Sequence, residues 1–165
     1  MNQLDERNYS LKNSKDKVLR VAIGSDHGGF TAKEILKKYL EVCGYRIRDV
    51  GTYSTESVDY PDFAVKVARK VAGGDCERGI MIDGAGIGSS MACNKVKGIR
   101  AALCYNLRTI KNSRVHNNAN VLTLGGPLHP PDELCEMAKV WLETGFEGGR
   151  HWARINKIMA VERSR

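Results

Sequence analysis

Two acidic residues set beside glycines mark where this chain can do chemistry. In Gly79-Ile80-Met81-Ile82-Asp83-Gly84-Ala85-Gly86-Ile87-Gly88-Ser89-Ser90 a short apolar run ends on an acid and passes into glycines at every second position. Such a run reads as a buried strand, and the glycines let the backbone approach a ligand closely or take up positive φ. A helix starting just after them offers unpaired N–H groups and positive dipole to an oxyanion or phosphate. An ionisable group beside an anion cradle is what proton transfer on a negatively charged metabolite requires. Asp83 is the candidate general base, since carboxylates do remove protons next to carbonyls. The alternative is a helix cap beside its own glycine loop.

A second acid opens a second glycine turn, in Gly24-Ser25-Asp26-His27-Gly28-Gly29. Asp26 and His27 are a paired acid and imidazole at the end of another apolar run, a functional arrangement unless Asp26 simply caps the helix near Thr31. His116 lies in Ser113-Arg114-Val115-His116-Asn117-Asn118-Ala119-Asn120, which is very polar for a segment preceding a buried strand. An imidazole titrating near neutrality is the natural proton shuttle for a sugar hydroxyl or ring oxygen. A helix C-cap in an asparagine-rich turn is the other reading. Arg150 and Arg154, spaced i, i+4 on a helix, suit a small anion such as a phosphate monoester.

Positioning these residues takes alternating strands and helices. Strands are expected at 18–25, 45–50, 79–83, 99–104 and 120–124, from short apolar runs. Helices are expected at 31–43, 62–72, 89–95, 107–114, 132–143 and 151–162, from apolar residues recurring at helical spacing. Gly44 and Gly73-Gly74 stop two of the helices. This alternation predicts right-handed βαβ crossovers and a parallel sheet covered on both faces, without settling strand order. Ligands bind such sheets at the carboxyl ends of the strands. That rule gathers Asp26-His27, the Asp83 loop and the segment after Cys104 on one rim.

Composition narrows the class. The chain has 165 residues, 42% hydrophobic, enough for one packed domain. Residues 1–17 read as a flexible polar extension and 18–165 as a single α/β domain. No apolar run approaches membrane-spanning length, and the N-terminus lacks the apolar core of a secretion signal. Five scattered cysteines without a CxxC pair fit a reducing cytoplasm and give no zinc pattern. The net charge of +7 comes without aromatic–basic repeats or zinc-finger spacings, so no nucleic-acid partner is expected. Gly84, Gly86 and Gly88 are spaced GxGxG rather than GxGxxG, which argues against a dinucleotide site, and there is no Walker lysine.

The ordered motifs Gly24–Phe30, Val58-Asp59-Tyr60-Pro61, the Gly84–Gly88 loop with Ala92-Cys93-Asn94-Lys95, the His116–Asn120 turn and Gly148-Gly149-Arg150-His151 resemble one family. They look like the B-type ribose-5-phosphate isomerases and the related galactose-6-phosphate isomerase subunits, over roughly residues 18–163. The resemblance implies a Rossmann-like three-layer α/β/α sandwich with a five-stranded parallel sheet and a C-terminal helix. It implies a homodimer or homotetramer with an active site shared between subunits. The implied chemistry is aldose–ketose interconversion of a sugar phosphate through an enediolate, with no cofactor and no metal. Asp83, His116 and Asp26 would be catalytic, with His116 assisting ring opening. His27, Tyr60, Asn117 and the loop residues Gly84, Ala85, Gly86, Gly88 and Ser89 would bind the sugar and its enediolate oxygen. Arg150 and Arg154 would hold phosphate.

Three departures stand out. Asp83 occupies the place of the cysteine base of many B-type enzymes, while Ser89 stands where a second branch has a glutamate base. Ala85 replaces a loop threonine, and Gly125-Gly126-Pro127 replaces an expected phosphate-binding arginine. Asp followed by Ser and Met resembles the galactose-6-phosphate isomerase A subunit, which works with a B partner. A silent subunit that completes a paralogue's site is therefore the second expectation.

Overall fold

Apolar residues on the central strands point alternately to two sides, so the sheet must be covered twice. The computed structural model describes residues 18–163. The expected extension, residues 1–17, lies outside them. Five strands, β1 (Arg20–Ser25), β2 (Arg46–Asp49), β3 (Arg78–Asp83), β4 (Ala101–Leu103) and β5 (Val121–Gly125), form one parallel sheet in the order β2-β1-β3-β5-β4. Six α-helices connect and follow them: α1 (Phe30–Val42), α2 (Tyr60–Ala72), α3 (Ile87–Cys93), α4 (Leu107–Val115), α5 (Pro131–Glu143) and α6 (Arg150–Arg163).

The strands' alternation divides the core in two. Val21, Ile23, Ile80, Ile82, Leu122 and Leu124 face α1, α4 and α5, where Leu36, Leu40, Ile110 and Trp141 are fully buried. Ala22, Met81 and Val121 face α2 and α3, against Ala64, Val67, Ala68 and Cys93. Small residues on this second side let α2 sit close to the sheet. Helix α2 starts at Tyr60, two residues before the sequence expectation, because Pro61 occupies a first-turn position where no N–H is needed.

Strand β4 is an edge, paired only with β5. Asn94 closes its open side: its Oδ1 accepts the Ala101 N–H at 2.9 Å and its Nδ2 donates to the Ala101 carbonyl at 2.9 Å. That pairing blunts the edge against stray strands. At the opposite edge a buried charge network joins α1 to β2. The Lys33 side chain is fully buried, with Nζ 2.8 Å from Asp49 and 2.9 Å from Glu34, and Lys37 also binds Asp49 at 2.8 Å. Burial alone raises the Asp49 pKa, but hydrogen bonds from Lys33, Lys37 and the Gly51 N–H outweigh it and hold the carboxyl below its usual value.

Replacing Asp49 leaves Lys33 and Lys37 to share Glu34, with one positive charge unpaired beside the fully buried Lys33. Asp49→Ala is expected to lower unfolding free energy by about 3 kcal/mol, read from urea denaturation. The wild-type contribution is present above the ordinary carboxylate value of 3.8 and is lost as pH falls through the lowered folded value, so the two proteins should converge in acid.

Candidate active site

Strand order makes the site. From β1 the chain crosses to β2 on one side, then returns to place β3 on the other, so β1 and β3 flank a topological switch point. Their carboxyl ends deliver Asp26 and Asp83 to the same crevice. The Asp26 N–H donates to the Ile82 carbonyl at 3.2 Å, locking the two turns together. A Cβ on Gly28 would lie 3.4 Å from Asp26 Oδ1 and 3.7 Å from the Gly84 nitrogen, so the two glycine turns touch. His27 is exposed beside them, its Nδ1 accepting the Val58 N–H at 3.2 Å. The Tyr60 ring lies directly over Gly88, where any side chain would collide with it. Asp26, His27, Tyr60 and residues 83–89 are thus one group.

Asp83 is buried, at 5% exposure, and both its oxygens are engaged by its own loop. Oδ1 accepts the Ala85 N–H at 2.8 Å and the Gly86 N–H, and Oδ2 accepts the Ser89 N–H at 3.2 Å and the Ser89 hydroxyl. Gly86, at φ +76°, gives the turn the left-handed residue that it needs to fold back on the carboxylate. The expected base therefore has the capping geometry that the sequence left as its alternative. Three N–H groups expected to face substrate, those of Ala85, Gly86 and Ser89, are held inward by it. Those of Gly84, Ile87 and Gly88 are not taken by Asp83. Asp26 is less committed: Oδ1 accepts the Gly29 N–H at 2.9 Å, and Oδ2 makes no hydrogen bond to the described residues.

No thiol substitutes for the missing cysteine base here. Cys93, one turn beyond the loop, has its pKa pushed up to about 12 by burial, with the Asp83 charge adding to the effect. Such a thiol is inert at neutral pH.

The remaining candidates lie elsewhere. Helix α4 starts at the carboxyl end of β4 and runs back along the sheet, so His116 at its C-cap reaches the amino-terminal edge. There Asn120 donates its N–H to the Arg100 carbonyl just before β4. Six-residue strands such as β1 and β3 separate the two edges by about 15–20 Å. Of the three asparagines in this turn, Asn118 and Asn120 are structural. Asn118 Oδ1 accepts from Arg114 at 2.8 Å and Asn120 Oδ1 accepts the Arg100 N–H at 2.8 Å, while Asn117 is exposed. Arg150 and Arg154 are exposed on α6 at the same end. One chain thus carries two separate groups, and His116, Asn117, Arg150 and Arg154 do not meet Asp26 and Asp83 within it. The structure adds two residues to which the sequence assigned no role, His151 appearing only within a motif. Glu147 and the buried His151 pack against His116, the two imidazoles stacked with centroids 4.4 Å apart. Glu147 and His151, at i, i+4 around Gly148-Gly149, were the available signal.

A groove of about 600 Å³ runs along the β4 edge, lined by Arg100, Tyr105, Asn112, Asn117 and Ile158 among others. It adjoins the His116 turn and not the β1–β3 crevice. Ile87, Met91, Tyr105 and Ile158 are all more than half exposed on α3, α6 and the loop after β4.

The sequence model of the Ribose/Galactose Isomerase family matches residues 21–158. The chain belongs to this family. It is 40% identical over 146 residues to ribose-5-phosphate isomerase B of Escherichia coli, covering 88% of this chain and 98% of that protein. The solved ribose-5-phosphate isomerase B of Clostridium thermocellum superposes with a TM-score of 0.87 at 46% identity, over 88% of this chain and 99% of the other. That of Mycoplasma genitalium, solved with bound ribulose 5-phosphate, gives 0.84 at 41% identity, over 88% and 97%. The family assignment and the α/β fold expected from the motifs hold.

The hydrogen bonds to Asp83 make a testable statement about stability. Asp83→Ala takes the acceptor from two buried N–H groups and one half-buried one, and should cost about 3 kcal/mol in thermal or urea unfolding. Amide exchange at Gly86 and Ser89 should accelerate ahead of β3.

Proposed function

We propose that the protein is a cytoplasmic aldose–ketose isomerase acting on ribose 5-phosphate or a closely related sugar phosphate. The observation that carries this reading is the crevice between β1 and β3. There the unengaged Asp26 Oδ2 sits beside a glycine turn whose Gly84, Ile87 and Gly88 N–H groups Asp83 leaves to a ligand. Family membership and relatives named for this reaction support it. Five free cysteines agree with a reducing compartment.

In this reading Asp26 is the base and Asp83 holds the turn. Asp26 Oδ2 takes the proton from C2 of the open-chain aldose, and the C–H electron pair forms the C1=C2 bond of the enediolate. The negative charge falls on O1 and is met by the free N–H groups of the turn. The C2 hydroxyl proton then passes to O1, C2 becomes the ketone, and the C1=C2 electron pair takes the proton back from Asp26 at C1. Tyr60 and His27 wall the sugar. His116, Asn117, Arg150 and Arg154 come from a second copy, docked over the exposed apolar residues of α3, α6 and the β4 edge. There His116 opens the sugar ring and the arginines hold phosphate. A silent subunit is the less supported alternative, because relatives at 40% and 46% identity themselves carry the isomerase name.

Proton NMR with ribose 5-phosphate in D₂O tests the reaction: the C2 proton signal should fade as ribulose 5-phosphate appears. Asp26→Asn should lower kcat by about 10²-fold or more. An Asp26→Asn enzyme with wild-type turnover would remove Asp26 as base. Sharing of the site is read by mixing. Asp26→Asn and His116→Ala proteins, each inactive, should regain about a quarter of wild-type activity once dimers re-equilibrate, because half the dimers then carry one intact site. No recovery after subunit exchange would mean that each chain works alone.

A further inference from the structure

Residues far apart in the chain bring three metal-ligating side chains together where α4, the loop after α5 and α6 meet. Glu147 is hooked to the end of α4, its N–H donating to the Val115 carbonyl at 3.0 Å. Its Oε2 lies 3.6 Å from His151 Nε2 and 3.9 Å from His116 Nε2, and the ligating atoms of all three residues lie within 4.8 Å of one another. Neither separation is a hydrogen bond. His151 is only 3% exposed, and its buried Nε2 has no hydrogen-bond partner. An unsatisfied buried ring nitrogen facing a carboxylate calls for an explanation.

We propose that His116, Glu147 and His151 form a binding site for a first-row divalent cation, with Zn²⁺ the best match. Zn²⁺ takes imidazole nitrogen and carboxylate oxygen at about 2.0–2.2 Å, which sets tetrahedral ligand atoms about 3.3 Å apart. The two separations to Glu147, 3.6 and 3.9 Å, exceed this by about 0.3 and about 0.6 Å. The imidazoles are stacked, 14° from parallel, so one ring must turn well away from its neighbour for both lone pairs to converge, a rotation that falls to the half-exposed His116. His116 and Glu147, 40% and 57% exposed, leave a path for entry and a fourth position for water. Support from the next shell is present: the Asn112 side-chain amide is 2.9 Å from His116 Nδ1. With its oxygen turned to the ring it accepts Nδ1–H and frees Nε2 for the metal. Arg150 and Arg154 also face His151 and oppose a cation, so the affinity falls short of a structural zinc site. Where His116 opens the sugar ring, as proposed above, a bound cation takes the lone pair that the step needs, and Zn²⁺ becomes a reversible inhibitor. That consequence rests on the proposed function; binding itself does not.

Calorimetric titration of the full-length protein with ZnCl₂ in a non-chelating buffer at pH 7.5 tests the site. One equivalent per chain should bind, and His151→Ala and Glu147→Gln should each weaken it by about ten-fold or more. Glu147 is exposed, so its variant keeps the fold if His151→Ala does not. Co²⁺ should give a tetrahedral visible spectrum without the thiolate charge-transfer band that exposed Cys43 would produce. Binding unchanged in both variants, or no saturable binding, overturns the proposal. If Zn²⁺ binds at this site yet turnover, relative to each protein's metal-free rate, is unaffected, the site stands and the ring-opening role of His116 falls.

Discussion

All five strands run the same way, and from that polarity follows nearly everything about where chemistry can occur. Every strand ends on one rim, so the turns after β1 and β3 meet. Every connecting helix must run back, so whatever caps a helix C-terminus is delivered to the far edge. Asp26 and Asp83 belong to the first class and His116 to the second. The two groups are separated within a chain by the length of a strand, whatever their side chains.

Within the rim the two acids divide the work according to their donors. Asp83 faces a turn that folds back over it, and it spends its oxygens on that turn. A cysteine there has a single sulfur and cannot hold four donors, so the replacement changes how the loop is built as well as its titrating group. Gly86 makes the fold-back possible, and Ser89 closes it from the first turn of α3. Asp26 sits on a shorter turn with fewer donors, which leaves one oxygen uncommitted. The same residue type therefore serves as scaffold at one strand end and keeps an unengaged oxygen at the next.

At the opposite edge, packing does what local sequence does not ask for. Buried Arg114 donates to Asn118 and to the Ala119 carbonyl and lies against the Trp141 ring, which pins the turn carrying His116. The Gly148-Gly149 turn then swings α6 across so that His151 stacks on His116 with Glu147 between their ring edges. An exposed imidazole is thereby given a fixed neighbour and a carboxylate within reach.

Much of the fold was legible in the residues. Alternating apolar runs and helical spacing place each strand and helix within a few positions, because local hydrophobic periodicity follows directly from which faces are buried. The glycine turns after Asp26 and Asp83 likewise announce a rim site, and the ordered motifs announce the family. Strand order was not legible, since periodicity says that a strand is buried but not beside what. Nor was the role of Asp83: base and cap differ only in which atoms lie within 3 Å, and that depends on how the backbone closes after Gly86. The cluster of His116, Glu147 and His151 depends on where α6 returns, a property of the whole packed chain. The sequence by itself determined the elements, the family and the acids offered at the strand ends. Only the tertiary structure decided which acid keeps a free lone pair and which imidazoles meet, because long-range contacts set those distances.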